Sequence, residues 1–150
     1  MAANIYDLLL GNAMSYTIGE SIRYVDDFLI YFGLALALFI AFFFVYTAIT
    51  PYKELKLIRD GNTAAAISLS GAMIGFALPV ASTVANAINL VDMVVFAVVA
   101  TVVQLIVFVI ARMLMPGLTG SIEDGNTAKA TFLATISISV GVLNAAALVY

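Results

Sequence analysis

The chain has 150 residues, of which 64% are hydrophobic and only 10% charged, a composition typical of a membrane protein and outside the range of soluble globular domains. A formal net charge of -3, without a concentrated positive patch, excludes nucleic acid as a partner. The absence of Cys and His excludes disulfides, thiol chemistry, Cys/His zinc sites, His-held haem and Ser-His or Cys-His catalytic pairs.

The N-terminal segment, residues 1–25, lacks the basic start of a cleaved signal peptide, since its first cation is Arg23. Apolar residues between Ile5 and Leu9 fall near helical spacing, which predicts a short amphipathic helix on the membrane surface. A loosely ordered tail fits the same residues. We therefore treat residues 1–25 as an interfacial segment and residues 26–150 as a transmembrane domain.

Four segments are long and apolar enough to cross the hydrocarbon core of a bilayer, which takes about 20 residues of helix. A backbone in lipid must satisfy its own hydrogen bonds, and the alternating pattern of barrel strands is not visible in the sequence. The sequence therefore predicts an all-α integral membrane fold with four transmembrane helices. The predicted spans are residues 28–50, 62–88, 92–115 and 126–150.

One polar phrase occurs twice, each time directly before a long apolar run. It reads IRDGNTAAA from Ile58 and IEDGNTAKA from Ile122, 64 positions later. Residues 28–88 therefore resemble a duplicate of residues 92–150. Because each copy holds two crossings, both copies point the same way, which predicts two parallel-related two-helix repeats.

The basic residues predict the orientation of the chain. Five of the six cations lie at the loops that join the two spans of each copy, and only Arg23 lies on the opposite side. The positive-inside rule then places both loops in the cytoplasm and both termini outside it. The five loop cations are Lys53, Lys56, Arg59, Arg112 and Lys129.

The repeated phrase opens two long helices, and its chemistry suits a helix start. Asn and Thr oxygens accept from first-turn amides, Asp faces the positive end of the helix dipole, and Gly permits a tight turn. The phrase therefore predicts helix caps. A second hypothesis is a cytoplasmic vestibule or lipid-headgroup site at the two helix starts. The two aspartates argue against strong binding of an anion there. Both hypotheses concern Asp60, Gly61, Asn62, Thr63, Asp124, Gly125, Asn126 and Thr127.

Small residues follow one face of the second and fourth spans. In lipid there is no hydrophobic drive between helices, and small residues matter because they let two backbones approach closely. We predict that these spans form the close-packed centre, with a pore-lining role as the alternative. The residues concerned are Gly71 and Gly75 in the second span and Ser137, Gly141 and Ala145 in the fourth.

A few polar or helix-breaking residues lie within the spans. Pro79 removes a backbone hydrogen bond inside the second span and predicts a kink. Gln104 lies near the middle of the third span, and Asn86 and Asn144 lie toward the outer ends of the second and fourth; each needs a partner. The spans hold no charged residue at their centres and no catalytic pair, so we predict no enzyme, no cofactor and no metal site.

Several motifs recur in the order of a known family. The doubled DGN phrase, the G-x-x-x-G that precedes Pro79, and GVLNAAA at residues 141–147 resemble the YjfL-type family of bacterial inner-membrane proteins. The resemblance covers residues 28–150. It implies a small four-span inner-membrane protein with an internal two-span repeat. Because relatives accompany envelope-stress and phage-shock-like proteins, it also implies a role in membrane stress or organisation, without catalytic residues.

These observations lead us to expect a non-enzymatic, homo-oligomeric inner-membrane protein that scaffolds or senses the membrane. Its short loops leave almost no soluble domain, so it would act through membrane lipid, through copies of itself, or through a membrane or cytoplasmic protein partner. The alternative is a small-ion or small-solute channel formed by an oligomer. That alternative rests on the parallel repeat, the kinked second span and Gln104 near the midplane.

Overall fold

The computed structural model describes the backbone of residues 2–148 and the side chains of residue 22 and residues 24–148. Contacts divide the chain into two units, Met1–Leu34 and Ala35–Tyr150. Helices account for almost all of the described backbone. In chain order they are α1 (Ala2–Ile49), α2 (Glu54–Arg59), α3 (Thr63–Asn86), α4 (Leu90–Leu114), α5 (Leu118–Glu123) and α6 (Thr127–Ala147).

Four helical segments are long and apolar enough to cross a membrane, which confirms the prediction of an all-α fold with four candidate spans. The backbone is helical from Ala2 and continues without a break into the first of these spans. The amphipathic face predicted for residues 1–25 rests mainly on side chains outside the described residues and stays a prediction. The four segments are Tyr24–Ile49, Thr63–Asn86, Leu90–Leu114 and Thr127–Ala147.

The long helices end close to prolines, and a short helix follows each time. Pro51 comes two residues after the end of α1, and Pro116 comes two residues after the end of α4. Proline has no amide hydrogen and disfavours helical geometry in the residue before it, so a helix stops at such a position. The short helices α2 and α5 then lead to Gly61 and Gly125, which turn the chain with φ of 87° and 83°.

Helix α3 is the central element of the unit Ala35–Tyr150. In its apolar window 56% of the residues are buried, against 33% for α4 and 28% for α6. Aromatic side chains attach the last turns of α1 to this core. Phe42 stacks on Phe76 of α3 with ring centroids 4.1 Å apart. The rings of Tyr46 and of Phe108 on α4 are T-shaped to each other, with centroids 5.7 Å apart.

Helices α3 and α6 cross with their backbones in contact. A Cβ atom added to Gly71 would collide with Ala134, and one added to Gly141 would collide with the backbone of Gly75. Only residues without a side chain fit at these points, because a protein interior has no spare volume there. At these points the two helices therefore pack backbone against backbone.

Pro79 lies buried inside α3 and interrupts its hydrogen-bond ladder. The carbonyl oxygen of Gly75, one turn earlier, loses the amide donor that any other residue at position 79 would supply. That oxygen lies against the Cα of Gly141 on α6, where a Cα hydrogen is directed at it. A weak C–H···O contact thus covers a polar group that would otherwise face the apolar core.

Candidate functional site at the interspan turns

The two copies of the repeated phrase form the starts of α3 and α6. The Oδ1 atom of Asn62 accepts from the amide of Ala65 at 2.9 Å, and that of Asn126 accepts from the amide of Lys129 at 3.1 Å. Both asparagines have an extended backbone, as residues at an N-cap do. Each cap satisfies one of the amides that a helix start leaves free.

Asn62 also joins the two turns to each other. Its Nδ2 atom donates to the carbonyl oxygens of Ile122 and Glu123 at 3.0 and 2.9 Å, at the end of α5. The last carbonyls of a helix have no partner within that helix, so these bonds satisfy groups that need a donor. Among the described residues, Asn126 makes no equivalent bond to α2. Asn62 therefore caps α3 and also links the two turns, whereas Asn126 only caps α6.

An open groove of about 450 Å³ lies between the two turns. Its charged side chains are acidic, whereas the N-terminal ends of α3 and α6 carry partial positive charge. Lys129 extends to Ser121, where its Nζ donates to the hydroxyl at 2.7 Å. The acidic lining opposes an anion or phospholipid headgroup in this groove. The lining residues are Leu57, Asp60, Gly61, Asn62, Thr63, Glu123, Asp124, Gly125 and Thr127.

The polar residue of the third span, Gln104, points into the bundle and is 1% exposed. Its Nε2 atom donates to the carbonyl oxygen of Ser137 on α6 at 3.1 Å and packs against Gly75 on α3. Its Oε1 atom has no partner among the described residues. Three helices therefore meet at one polar contact. The carbonyl of Ala145 accepts from Ser82 at 2.9 Å and adds a second link between α3 and α6.

The two asparagines near the far ends of α3 and α6 do not join the turn residues. Asn86 is exposed and donates to the carbonyl oxygen of Ser82 in its own helix at 2.8 Å. Asn144 is half-buried, and its Nδ2 atom has no partner among the described residues. These residues lie a full span away from the groove, because α3 and α6 both begin at the turns.

A second polar cluster, which no motif in the sequence marks, surrounds Glu54 at the start of α2. Glu54 is 1% exposed, and neither of its carboxylate oxygens has a hydrogen-bond partner among the described residues. The hydroxyl of Tyr46, at the end of α1, is equally buried and also lacks a partner there. A buried carboxylate in such surroundings is rare, because the charge loses its hydration.

Three further hydroxyl groups complete this Glu54 cluster. The hydroxyl of Tyr52 lies 3.3 Å from that of Ser68 on α3, and Thr50 donates to the carbonyl oxygen of Tyr46 at 3.1 Å. Tyr46 and Tyr52 lie close enough to Glu54 to interact with it electrostatically. The cluster therefore connects the end of α1, the following turn, α2 and α3.

The surroundings change the acid-base properties of this cluster. Burial raises the pKa of Glu54 from its ordinary value of 4.5 to about 7, and the nearby Thr50 hydroxyl opposes part of that rise. Burial also raises the pKa of Tyr52 to about 12, opposed by the Ser68 hydroxyl and increased by the charges of Glu54 and Glu123. Near neutral pH, Glu54 is therefore partly protonated and Tyr52 is neutral.

A comparison of the two copies supplies the sequence signal for this cluster. Position 54 corresponds to Leu118 of the second copy, which is also 1% exposed, so Glu54 occupies a position that faces the core. The other members of the cluster have no polar counterpart either. Tyr46, Thr50, Tyr52 and Ser68 correspond to Ile110, Leu114, Pro116 and Phe132.

Known proteins resemble the chain over most of its length. A family model described as Domain of Unknown Function (DUF350) matches residues 12–148. The UPF0719 inner membrane protein YjfL of Escherichia coli strain K12 is 38% identical over 120 residues, which cover 80% of this chain and 91% of the relative. The protein of that name from Escherichia coli O157:H7 matches to the same extent. No solved structure matches the chain.

These matches confirm the resemblance drawn from the motifs and correct its extent. The family match begins at residue 12, so the resemblance reaches further toward the N terminus than residues 28–150. Part of the segment 1–25 is therefore common to the family, although the motifs that carry the resemblance all lie within the spans and turns.

Proposed function

We propose a function from the geometry of the chain itself, because the chain belongs to the DUF350 family, whose description names no activity. We infer that it is a non-enzymatic scaffold of the bacterial inner membrane and takes part in the response to membrane stress. Its two parallel-related repeats bring both interspan turns to one face of the membrane. We name residues 57–63 and 123–127 the turn platform.

The observation that carries this proposal is the bond pair from Asn62 to the end of α5. These bonds hold the two turns of the platform at a fixed separation, although 60 or more residues of chain lie between them. A rigid surface suits the docking of a partner, since little conformational entropy is lost on binding. With an acidic groove at its centre, the platform suits a basic segment of a membrane or cytoplasmic protein.

The orientation follows from the positive-inside rule and remains part of the proposal. Lys53, Lys56 and Arg59 are exposed around α2, and Arg112 is exposed in the last turn of α4. Cations at this end favour the cytoplasmic side, so both turns would face the cytoplasm and both termini the other side. The exposed apolar faces of the spans would contact lipid and further copies of the chain.

The channel alternative draws no support from Gln104. That side chain is buried among α3, α4 and α6, where it bonds Ser137, and α3 and α6 pack backbone against backbone at Gly75 and Gly141. A conducting path would therefore have to run between chains, along faces that are apolar. For this reason we propose the scaffold alone.

Site-specific crosslinking in native membranes tests the proposal. A photoreactive amino acid replaces Asp60 in the turn platform or, as a matched control, the exposed Val98 on α4. We expect position 60 to capture one discrete protein partner and position 98 to capture lipid or a second copy of the chain. If both positions yielded only the monomer, with no consistent partner, the scaffold proposal would be wrong.

A further inference from the structure

Three buried oxygen atoms of the Glu54 cluster lack a hydrogen-bond partner among the described residues. The two carboxylate oxygens of Glu54 and the hydroxyl oxygen of Tyr46 make no hydrogen bond to the described residues. Each of these residues is only 1% exposed. Because an unpaired buried carboxylate is costly, the charge of Glu54 must be neutralised, either by a proton or by a cation bound beside it.

The chemistry of the cluster selects the class of that species. Every side-chain atom of the cluster that could coordinate an ion is an oxygen. The hydroxyls of Thr50, Tyr52 and Ser68 accompany the three atoms that lack a partner. Oxygen ligands suit hard cations such as alkali and alkaline-earth ions, whereas nitrogen and sulfur ligands suit transition metals. The cluster is thus a hard-cation environment.

The end of α1 adds to the negative potential at this point. The last carbonyls of a helix carry partial negative charge and favour a cation. Pro51 lacks the amide that would bond the carbonyl of Thr47, and α1 has no basic residue in its last turn. Lys53 and Lys56, the nearest cations in sequence, are exposed to solvent. Neither of these lysines therefore neutralises Glu54.

We propose that Glu54, Tyr46, Tyr52, Thr50 and Ser68 form a binding site for one dehydrated monovalent cation, Na⁺ or K⁺, at the end of α1. A single carboxylate balances a single positive charge, whereas a divalent ion would leave an uncompensated charge in a poorly hydrated site. The bound ion would join α1, α2 and α3. Because the corresponding residues of the second copy are apolar, each chain would hold one such site.

A proton competes with the cation for the same carboxylate. The pKa of Glu54, raised by burial to about 7, means that the site is largely protonated in mild acid. The other titratable groups that face the cluster are Tyr46 and Tyr52, with Glu123 near Tyr52. Because Tyr52 remains neutral below its pKa of about 12, Glu54 is the member of the cluster whose protonation controls cation binding near neutral pH.

The test is the thermal stability of the purified full chain in detergent at about pH 8, in NaCl, KCl or N-methyl-D-glucamine chloride at equal ionic strength. At ten times the dissociation constant we expect Na⁺ or K⁺ to raise Tm by about 4 °C, saturably, relative to the organic cation. Glu54→Gln should abolish this difference and Tyr46→Phe should weaken it. The control Glu123→Gln, at an exposed position nearby, should retain it.

Three results would overturn the proposal. The first is an equal effect of all three salts, and the second is a full ion effect in Glu54→Gln. The third is a thermal stability that depends on pH through Glu54 but is the same in all three salts, since a proton would then be the sole occupant of the site. If Glu54→Gln does not fold, saturable binding of radioactive sodium or rubidium to the unmodified chain, weakened by Tyr46→Phe, decides the question; no saturable binding would refute the site.

Discussion

The two interspan segments, residues 51–63 and 115–127, share a backbone plan and differ in chemistry. Each contains a proline, a six-residue helix, a glycine with positive φ and an asparagine that caps a long helix. On the face that packs against the bundle, the first segment has Glu54 where the second has Leu118, and both are buried. A few residues therefore specify the turn, while the packed face is free to be polar in one copy and apolar in the other.

Moving the carboxylate to the second copy should have the largest effect. Leu118→Glu places a charge at a position that is 1% exposed, without the hydroxyl groups that surround Glu54. We expect a loss of about 4 kcal/mol in the free energy of unfolding, measured by transfer from mild detergent into dodecyl sulfate. The control is Gly120→Glu on the same short helix, where the added side chain meets open space. A loss for Leu118→Glu no larger than that of the control would show that the two packed faces tolerate a carboxylate equally.

The next largest effect on stability should come from replacing the two capping asparagines, and the two replacements should differ. Asn62→Ala removes a cap and the two bonds to the end of α5, whereas Asn126→Ala removes a cap alone. We expect losses of about 3 kcal/mol and about 1 kcal/mol in the free energy of unfolding. Chemical denaturation of both variants under identical conditions provides the measurement. Equal losses would mean that the bonds between the turns contribute nothing to stability.

Replacing Glu54 by leucine, the residue at the corresponding position of the second copy, tests how the stability of the protein depends on pH. Because its pKa rises from 4.5 to about 7 on folding, the folded protein binds more protons within that window than the unfolded chain does. Stability in buffers free of Na⁺ and K⁺ should therefore fall as the pH rises through the window, by about 3 kcal/mol, and stay constant above it.

Glu54→Leu should remove this slope and make the chain more stable than the unmodified protein above neutral pH. Thermal unfolding of both proteins across the pH range measures the difference. A slope that persists in Glu54→Leu would assign the titration to another group. Glu123→Gln serves as the control, since that carboxylate is exposed near the same cluster and should leave the slope intact.

Local patterns in the sequence were sufficient for the four spans and for the breaks between them, but not for the short helices α2 and α5. Hydropathy over about 20 residues identifies four helices, and Pro51, Pro116 and the Asp-Gly-Asn phrases locate the breaks between them within a few residues. These features act over short distances along the chain, so a single sequence carries them in full.

Individual hydrogen bonds between distant segments could not be obtained in this way. The bond from Asn62 to Ile122 joins residues 60 positions apart, and nothing in the identical phrases indicates that only the first asparagine makes it. Glu54 lies in a charged stretch that is typical of a solvated loop, yet it is buried because α2 packs its start against the bundle. Burial of a single residue depends on the docking angle of a six-residue helix, which local propensity does not encode.

The smallest predicted effect concerns the part of the plan that the two segments share. Gly61 and Gly125 have φ of 87° and 83°, and a Cβ added at either position would meet nothing within 4 Å. The cost of Gly61→Ala and of Gly125→Ala should therefore be conformational only, about 1 kcal/mol for each and equal within about 0.5 kcal/mol. Parallel denaturation of the two variants measures both costs. A clear inequality would show that the turns differ in backbone energetics as well as in chemistry, and the difference between the two copies could then no longer be assigned to Glu54 and Asn62 alone.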